Sequence, residues 1–163
     1  ITINGFSKSY AITGWRIGYA AGPKNVIAAM NLLQGQSTSG TCSIVQKAAL
    51  KALSLQPGFQ KKLSRSLQER RDLMSKIISK NKKLSFIKPA GAFYILLNVE
   101  KILQDRPEVL GSEGLALDLL KHTHVGTVAG SGFGAEGYLR LSFAVSKKTV
   151  IEGTQRLVDY LAK

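Results

Sequence analysis

Apolar positions along the chain recur first at strand spacing and then at helical spacing, and the switches between the two mark out its elements. Ile1, Thr2 and Ile3 form a short β-run that Asn4 and Gly5 break. Ala20 to Pro23 is a stop, followed by a proline suited to a first helical turn. Val26, Ile27, Met30 and Leu33 then fall on one side of a helix over residues 24–33, and Gln34 to Thr41 reads as a polar loop. Ser43 is placed to cap a second helix running through Ala52, with Ile44, Ala48, Leu50 and Leu53 for packing, and Pro57-Gly58 ends it.

A long helix from Phe59 to Lys80 follows, with Leu63, Leu67, Leu73, Ile77 and Ile78 on one face and Lys61, Arg65, Lys76, Lys80 and Lys83 on another. Strands are expected over Leu84 to Ile87 and Ala92 to Val99, joined by the turn Pro89-Ala90-Gly91. Gln104 to Gly111 reads as loop, and Ser112 as the cap of a helix to Lys121 that turns Leu115, Leu119 and Leu120 inward. Val125 to Ala129 is a strand, residues 130–137 are a glycine-rich loop, and Tyr138 to Phe143 alternates like a strand. Ser146 caps a last helix carrying Val150, Leu157, Val158 and Leu161.

Composition narrows the class. The chain has 163 residues, 44% of them hydrophobic and 20% charged, the balance of a globular protein with an ordinary core. Its longest apolar stretch, Ala92 to Leu97, is too short to span a bilayer, so no membrane partner is expected. Cys42, the one cysteine, cannot make an internal disulfide; this suits a reducing, cytoplasmic setting, and the residue reads as a small buried apolar side chain. His122 and His124 close a helix without supporting acidic or thiol ligands, so no metal is expected, and His122 reads as a cation near a helix C-terminus. The net charge of +13 raises the question of nucleic acid. The basic residues spread along the solvated face of one helix, with no RNA- or DNA-recognition motif beside them, and no nucleic-acid partner is inferred.

Three residues carry the chemistry. Lys8 lies just past a strand end, and an amine there can attack a carbonyl to form a Schiff base when it is desolvated beside another cation. Arg16 is such a cation, and its planar fork also suits a phosphate. Arg140 sits between Leu139 and Leu141 on an alternating strand, which sends its guanidinium to the opposite face, where a carboxylate partner is expected.

Ser7-Lys8, then five residues, then Gly14-Trp15-Arg16-Ile17-Gly18-Tyr19 resembles the lysine segment of class I/II aminotransferases, pyridoxal-phosphate enzymes of the aspartate aminotransferase fold. The run Gly137-Tyr138-Leu139-Arg140-Leu141-Ser142-Phe143-Ala144 is similar to a second segment of that family. The resemblance implies an α/β fold: residues 1–58 ending the large fold-type-I domain, 59–83 a connecting helix, and 84–163 a small α+β domain. It implies pyridoxal 5'-phosphate as cofactor, Lys8 as its covalent anchor and catalytic base, Arg16 as its phosphate ligand, and Arg140 as the grip on the substrate α-carboxylate. Family members often carry a serine three residues before the lysine. Gly5 stands there, and Ser7 or Asn4 are the candidates for the missing contact.

Pro89-Ala90-Gly91-Ala92-Phe93-Tyr94 is similar to a family element whose glycine lets backbone approach the substrate, while on its own residues it reads equally as a hairpin turn. The implied activity is amino transfer between an amino acid and a 2-oxo acid, of aspartate type, in a homodimer. The remaining cofactor ligands are expected in a preceding half, without which this chain is expected to be nearly inactive. From Gln34 to Gln46 there is no basic residue, so a distal substrate carboxylate would be held from elsewhere. Other readings stay open: a lyase or synthase of the same fold, a non-catalytic amino-acid-binding regulator, and a nucleic-acid binder.

Overall fold

The computed structural model describes residues 1–54 and 58–163. The break expected at Pro57 therefore lies outside the described residues. The chain divides into two compact units, Ile1–Ser64 and Arg65–Lys163.

In the first unit, β1 (Thr2–Gly5) pairs antiparallel with β2 (Gly18–Ala21) from Thr2↔Ala21 to Gly5↔Gly18, so the strand runs through Asn4 and Gly5 instead of ending before them. Between the strands lie the short helix α1 (Phe6–Ser9) and a 3₁₀ turn, Thr13–Trp15. Helix α2 (Lys24–Ser37) opens after Pro23 and continues well past the expected end at Leu33. Glutamine is a good helix former, and Ser37 Oγ donates to the Leu33 carbonyl at 2.8 Å, so the polar stretch extends the helix instead of leaving it. Helix α3 (Ser43–Ser54) follows, with Ser43 already inside it.

Phe6 is buried in this unit, its ring 5.5 Å from that of Tyr10 and 5.7 Å from that of Tyr19. The apolar sides of α2 and α3 are open: Leu33, Ile44 and Leu50 are 71%, 74% and 61% exposed. Cys42 is also exposed, which corrects the expectation of a buried residue; it sits where the chain leaves the α2–α3 turn, with no apolar layer over it.

Helix α4 (Gly58–Ile78) holds the basic residues of its outer face exposed and buries Met74, Ile77 and Ile78 in the core of the second unit. That unit has strands β3 (Ser85–Phe86), β4 (Tyr94–Asn98), β5 (Val128–Ala129) and β6 (Tyr138–Ser142), antiparallel in the order β3-β4-β6-β5. Ile95, Leu97, Leu139 and Leu141 fill one sheet face, and α4, α5 (Glu100–Asp105), α6 (Gly111–Thr123) and α7 (Lys147–Leu161) pack Ile78, Ile102, Leu115, Leu119, Leu157 and Leu161 against it. Leu120, expected inward on α6, is 50% exposed, because the helical spacing turns it off the face that Leu115 and Leu119 bury.

The ends of the helices show two kinds of capping. Ser146 caps α7 as the sequence indicates, its Oγ accepting from Thr149 N–H at 3.1 Å. At α6 the roles are reversed. Ser112 lies inside the helix and is a donor: its N–H reaches Glu136 Oε1 at 2.6 Å and its Oγ reaches Glu136 Oε2 at 3.0 Å. The cap thus comes from 24 residues downstream, beyond any local signal. His122, near the C-terminal end of α6, stacks on Tyr160 at 5.4 Å with its Nδ1 3.0 Å from Asp118 Oδ1.

Leu139 is fully buried between β4 and the helices. Leu139→Ala removes transfer energy and leaves a cavity, so the unfolding free energy from urea titration should fall by about 2–5 kcal/mol. The hydrogen bonds from Ser112 and from the Gly137 backbone hold the Glu136 carboxyl below the usual glutamate range. A depressed folded-state pKa gives stability that is full above the unfolded value and lost as pH falls through the folded one. The urea midpoints of the parent chain and of Glu136→Gln should therefore differ at pH 7 and converge as the solution is acidified below the ordinary carboxylate range.

Candidate functional site

The first cluster is built on the loop that the β1–β2 hairpin closes. Phe6 N–H donates to Ile17 carbonyl at 3.4 Å, extending the ladder one step past Gly5↔Gly18 and bringing the chain before Lys8 beside the chain after Arg16. Inside the loop, Tyr10 N–H donates to Phe6, Ile12 N–H to Ser7 and Trp15 N–H to Ile12, at 3.0, 3.1 and 3.1 Å. Ala11 and Arg16 take left-handed backbone at φ 55° and 52°, each costing about 1–2 kcal/mol for an L-residue. A strained, hydrogen-bonded loop holds its side chains in one place at the expense of stability. Gly18 belongs to the same construction: a Cβ there would lie 3.0 Å from the Asn4 carbonyl, a contact tight enough that the strands would have to give by a few tenths of an ångström.

Lys8 occupies the last turn of α1 with its side chain exposed. Arg16 ends the 3₁₀ turn, and its Nη1 donates to the Thr13 carbonyl at 3.1 Å. Ser7 is half-buried and its carbonyl is used by Ile12. Asn4 Oδ1 accepts from Gly5 N–H at 2.7 Å. A Cβ at Gly5 would meet only the Ile17 carbonyl at 3.8 Å, so there is room for a side chain where the family often has serine. The hairpin thus gathers a primary amine and a guanidinium on one short loop. An aldehyde that also bears a phosphate matches that donor set: the amine for the carbonyl carbon, the guanidinium for the phosphate oxygens.

The second cluster lies on the outer face of the four-stranded sheet. Alternation along β6 buries Leu139 and Leu141 and turns Arg140 the other way, opposite Leu96 on β4 and Val128 on β5. A carboxylate partner was the expectation for this guanidinium. The structure instead places it between two aromatic rings, 4.5 Å from the centroid of Tyr94 and 4.5 Å from that of Phe133. Among the described residues no side-chain hydrogen bond or ion pair engages it. Among the described residues, cation–π contact stands where charge pairing was expected.

Phe133 was missed in the sequence because residues 130–137 read as a glycine-rich loop. Gly130–Phe133 is a 3₁₀ turn, closed by Ala135 N–H donating to the Gly130 carbonyl at 2.9 Å. The lone aromatic among those glycines was the available signal. Around Pro89 to Tyr94, the structure shows the β3–β4 connection, with Arg71 Nη1 donating to the Pro89 carbonyl at 3.0 Å and nothing within 4 Å of a Cβ added at Gly91. Among the described residues there is no group of three or more His, Cys, Asp or Glu placed to hold a metal, and no helix long and apolar enough to cross a membrane.

Residues 1–157 match the family model for aminotransferase class I and II. A "Probable aspartate/prephenate aminotransferase" of Rickettsia conorii is 40% identical over 160 residues, which cover 96% of this chain and 40% of that protein. The crystal structure of the aspartate aminotransferase from Rhizobium meliloti superposes with a TM-score of 0.86 at 36% identity, over 98% of this chain and 41% of that one. The aspartate aminotransferase of Thermus thermophilus, solved with maleate, gives 0.86 at 36% identity over 97% and 40%. The chain therefore spans about two fifths of the length of the relatives it matches. With the family model covering nearly all of it and these relatives sharing its fold, the chain belongs to the class I and II aminotransferases.

Proposed function

We propose that the full-length protein carrying this chain transfers an amino group between an amino acid of aspartate type and a 2-oxo acid, using pyridoxal 5'-phosphate. The observation that carries the reading is Arg140: a guanidinium within 4.5 Å of the Tyr94 and Phe133 ring centroids, with no carboxylate among the described residues against it, is prepared for a carboxylate from outside. The names of the relatives support the aspartate assignment, and the maleate seen with the Thermus protein is itself a dicarboxylate.

In this reading Lys8 Nζ anchors the cofactor and, once displaced by substrate, takes the proton from the substrate Cα, the task of a positioned general base. Arg16 neutralises the cofactor phosphate, with Ser7 as a further contact, and the strained loop between β1 and β2 keeps these groups together. Pyridoxal phosphate, when bound, supplies the electron sink. Arg140 takes the substrate α-carboxylate in a bidentate grip and so orients Cα for proton transfer.

The first unit is assigned to the large, cofactor-binding domain and the second to the small domain, with α4 running from one to the other. The open apolar sides of α2 and α3 support a place in a larger fold and in a homodimer, since exposed apolar area of this kind is normally covered. A reducing, cytoplasmic setting is supported by the single, exposed Cys42.

Arg140 provides the test. Arg140→Lys in the full-length protein keeps the charge and loses the fork; kcat/KM for aspartate should fall about ten- to a thousandfold, with loss of saturation by substrate, while cofactor absorbance is retained. Unchanged kinetics in this variant would remove the carboxylate role.

A further inference from the structure

The Phe133 side of the Arg140 contact is carried by a turn that is fastened from the far side. The Phe133 ring is 53% exposed, so burial does not hold it over the guanidinium. Its turn does. Ser131 N–H donates to Ser112 Oγ at 3.3 Å and Ser131 Oγ donates to Glu113 Oε1 at 3.0 Å, tying the turn to the first residues of α6. Ser112 is fully buried, and both its N–H and its Oγ are taken by the Glu136 carboxylate at 2.6 and 3.0 Å. Gly134 N–H donates to the Ser131 carbonyl at 3.0 Å, and a Cβ on Gly130 would strike the Ala135 carbonyl, so the turn closes more tightly than any side chain at that position allows. Glu136, Ser112 and Ser131 thus form one connected set of hydrogen bonds that begins at the α6 N-terminus and ends two residues before Phe133.

Resting on the carboxylate-binding reading of Arg140, we propose that Phe133 is a positioning residue for that arginine and that the Glu136–Ser112 pair is the latch that keeps Phe133 in place. A guanidinium stacked on a ring keeps its donors in the plane, at the edge, where a bidentate carboxylate meets them. Tyr94 supplies the second ring from β4, a strand of the core sheet, and so is fixed by the fold; Phe133 sits on the turn and is fixed by the latch. Slack in the latch lets the ring leave, and the arginine then pays for its own ordering each time a carboxylate binds.

The experiment uses the full-length protein and succinate, an unreactive dicarboxylate, with Kd measured by calorimetry and kcat and KM measured with aspartate. Phe133→Leu should raise the succinate Kd and the aspartate KM by about three- to tenfold, with kcat within about twofold of the parent. Phe133→Tyr, which keeps a ring, should restore both. Glu136→Gln should weaken succinate to a similar degree, and the double variant Phe133→Leu/Glu136→Gln should bind no more weakly than the worse single one, because both changes remove the same contact. An unchanged Kd in Phe133→Leu, no recovery in Phe133→Tyr, or multiplicative effects in the double variant would overturn the latch. If Glu136→Gln does not fold, Ser112→Ala, which removes the Oγ contacts to Glu136 and Ser131, takes its place: a succinate Kd raised as in Phe133→Leu supports the latch and an unchanged Kd overturns it. Succinate binding that is equal in the parent and in Arg140→Ala overturns the carboxylate reading itself, and the latch with it; loss in Arg140→Ala with Phe133→Leu unchanged overturns the latch only.

Discussion

Five cross-strand pairs between β4 and β6, from Tyr94↔Ser142 to Asn98↔Tyr138, sort the side chains of the second unit. In this register Ile95, Leu97, Leu139 and Leu141 all face the helices, and Tyr94, Leu96 and Arg140 all face away. A slip of one residue would put the guanidinium into the core and two leucines into water. The burial of that apolar face, supported by α4, α5, α6 and α7, is therefore what presents Arg140 at the sheet surface. Stability and the placement of this guanidinium share one constraint there.

The first unit works the other way. Its hairpin is short, both strands are largely exposed, and its loop carries two non-glycine residues in left-handed backbone. Little apolar burial opposes that strain within the unit itself. Hydrogen bonds across the loop and the Phe6 cluster order the one loop that carries both Lys8 and Arg16. A loop built in this manner holds its side chains by backbone geometry at the expense of stability.

Much of this was legible in the sequence because the signals are local. Alternation from Tyr138 to Phe143 placed Arg140 on the face opposite its leucine neighbours, helical spacing located α4, α6 and α7, and Ser146 announced its helix. What was not legible depends on residues distant along the chain. The cap of α6 comes from Glu136, so Ser112, which looked like the capping acceptor, donates its N–H and Oγ to that carboxylate instead. Phe133 reaches Arg140 only because residues 130–137 fold into a tied turn, which their glycine content concealed. The extension of α2 to Ser37 and the exposure of Cys42 are smaller cases, where side-chain-to-backbone bonding and missing cover overrode composition. Lys8 and Arg16 were singled out by the resemblance of their segment to a family motif, and the hairpin register puts both on the loop between Gly5 and Gly18.

The most direct measurement is pyridoxal-phosphate labelling of the full-length protein, trapped by borohydride reduction and located by peptide mapping, with Lys8→Ala alongside. The account predicts label concentrated on Lys8, displaced by amino acids before reduction, and absent from that position in the variant. Label spread over the exposed lysines of α4 in both proteins, insensitive to amino acids, would contradict it.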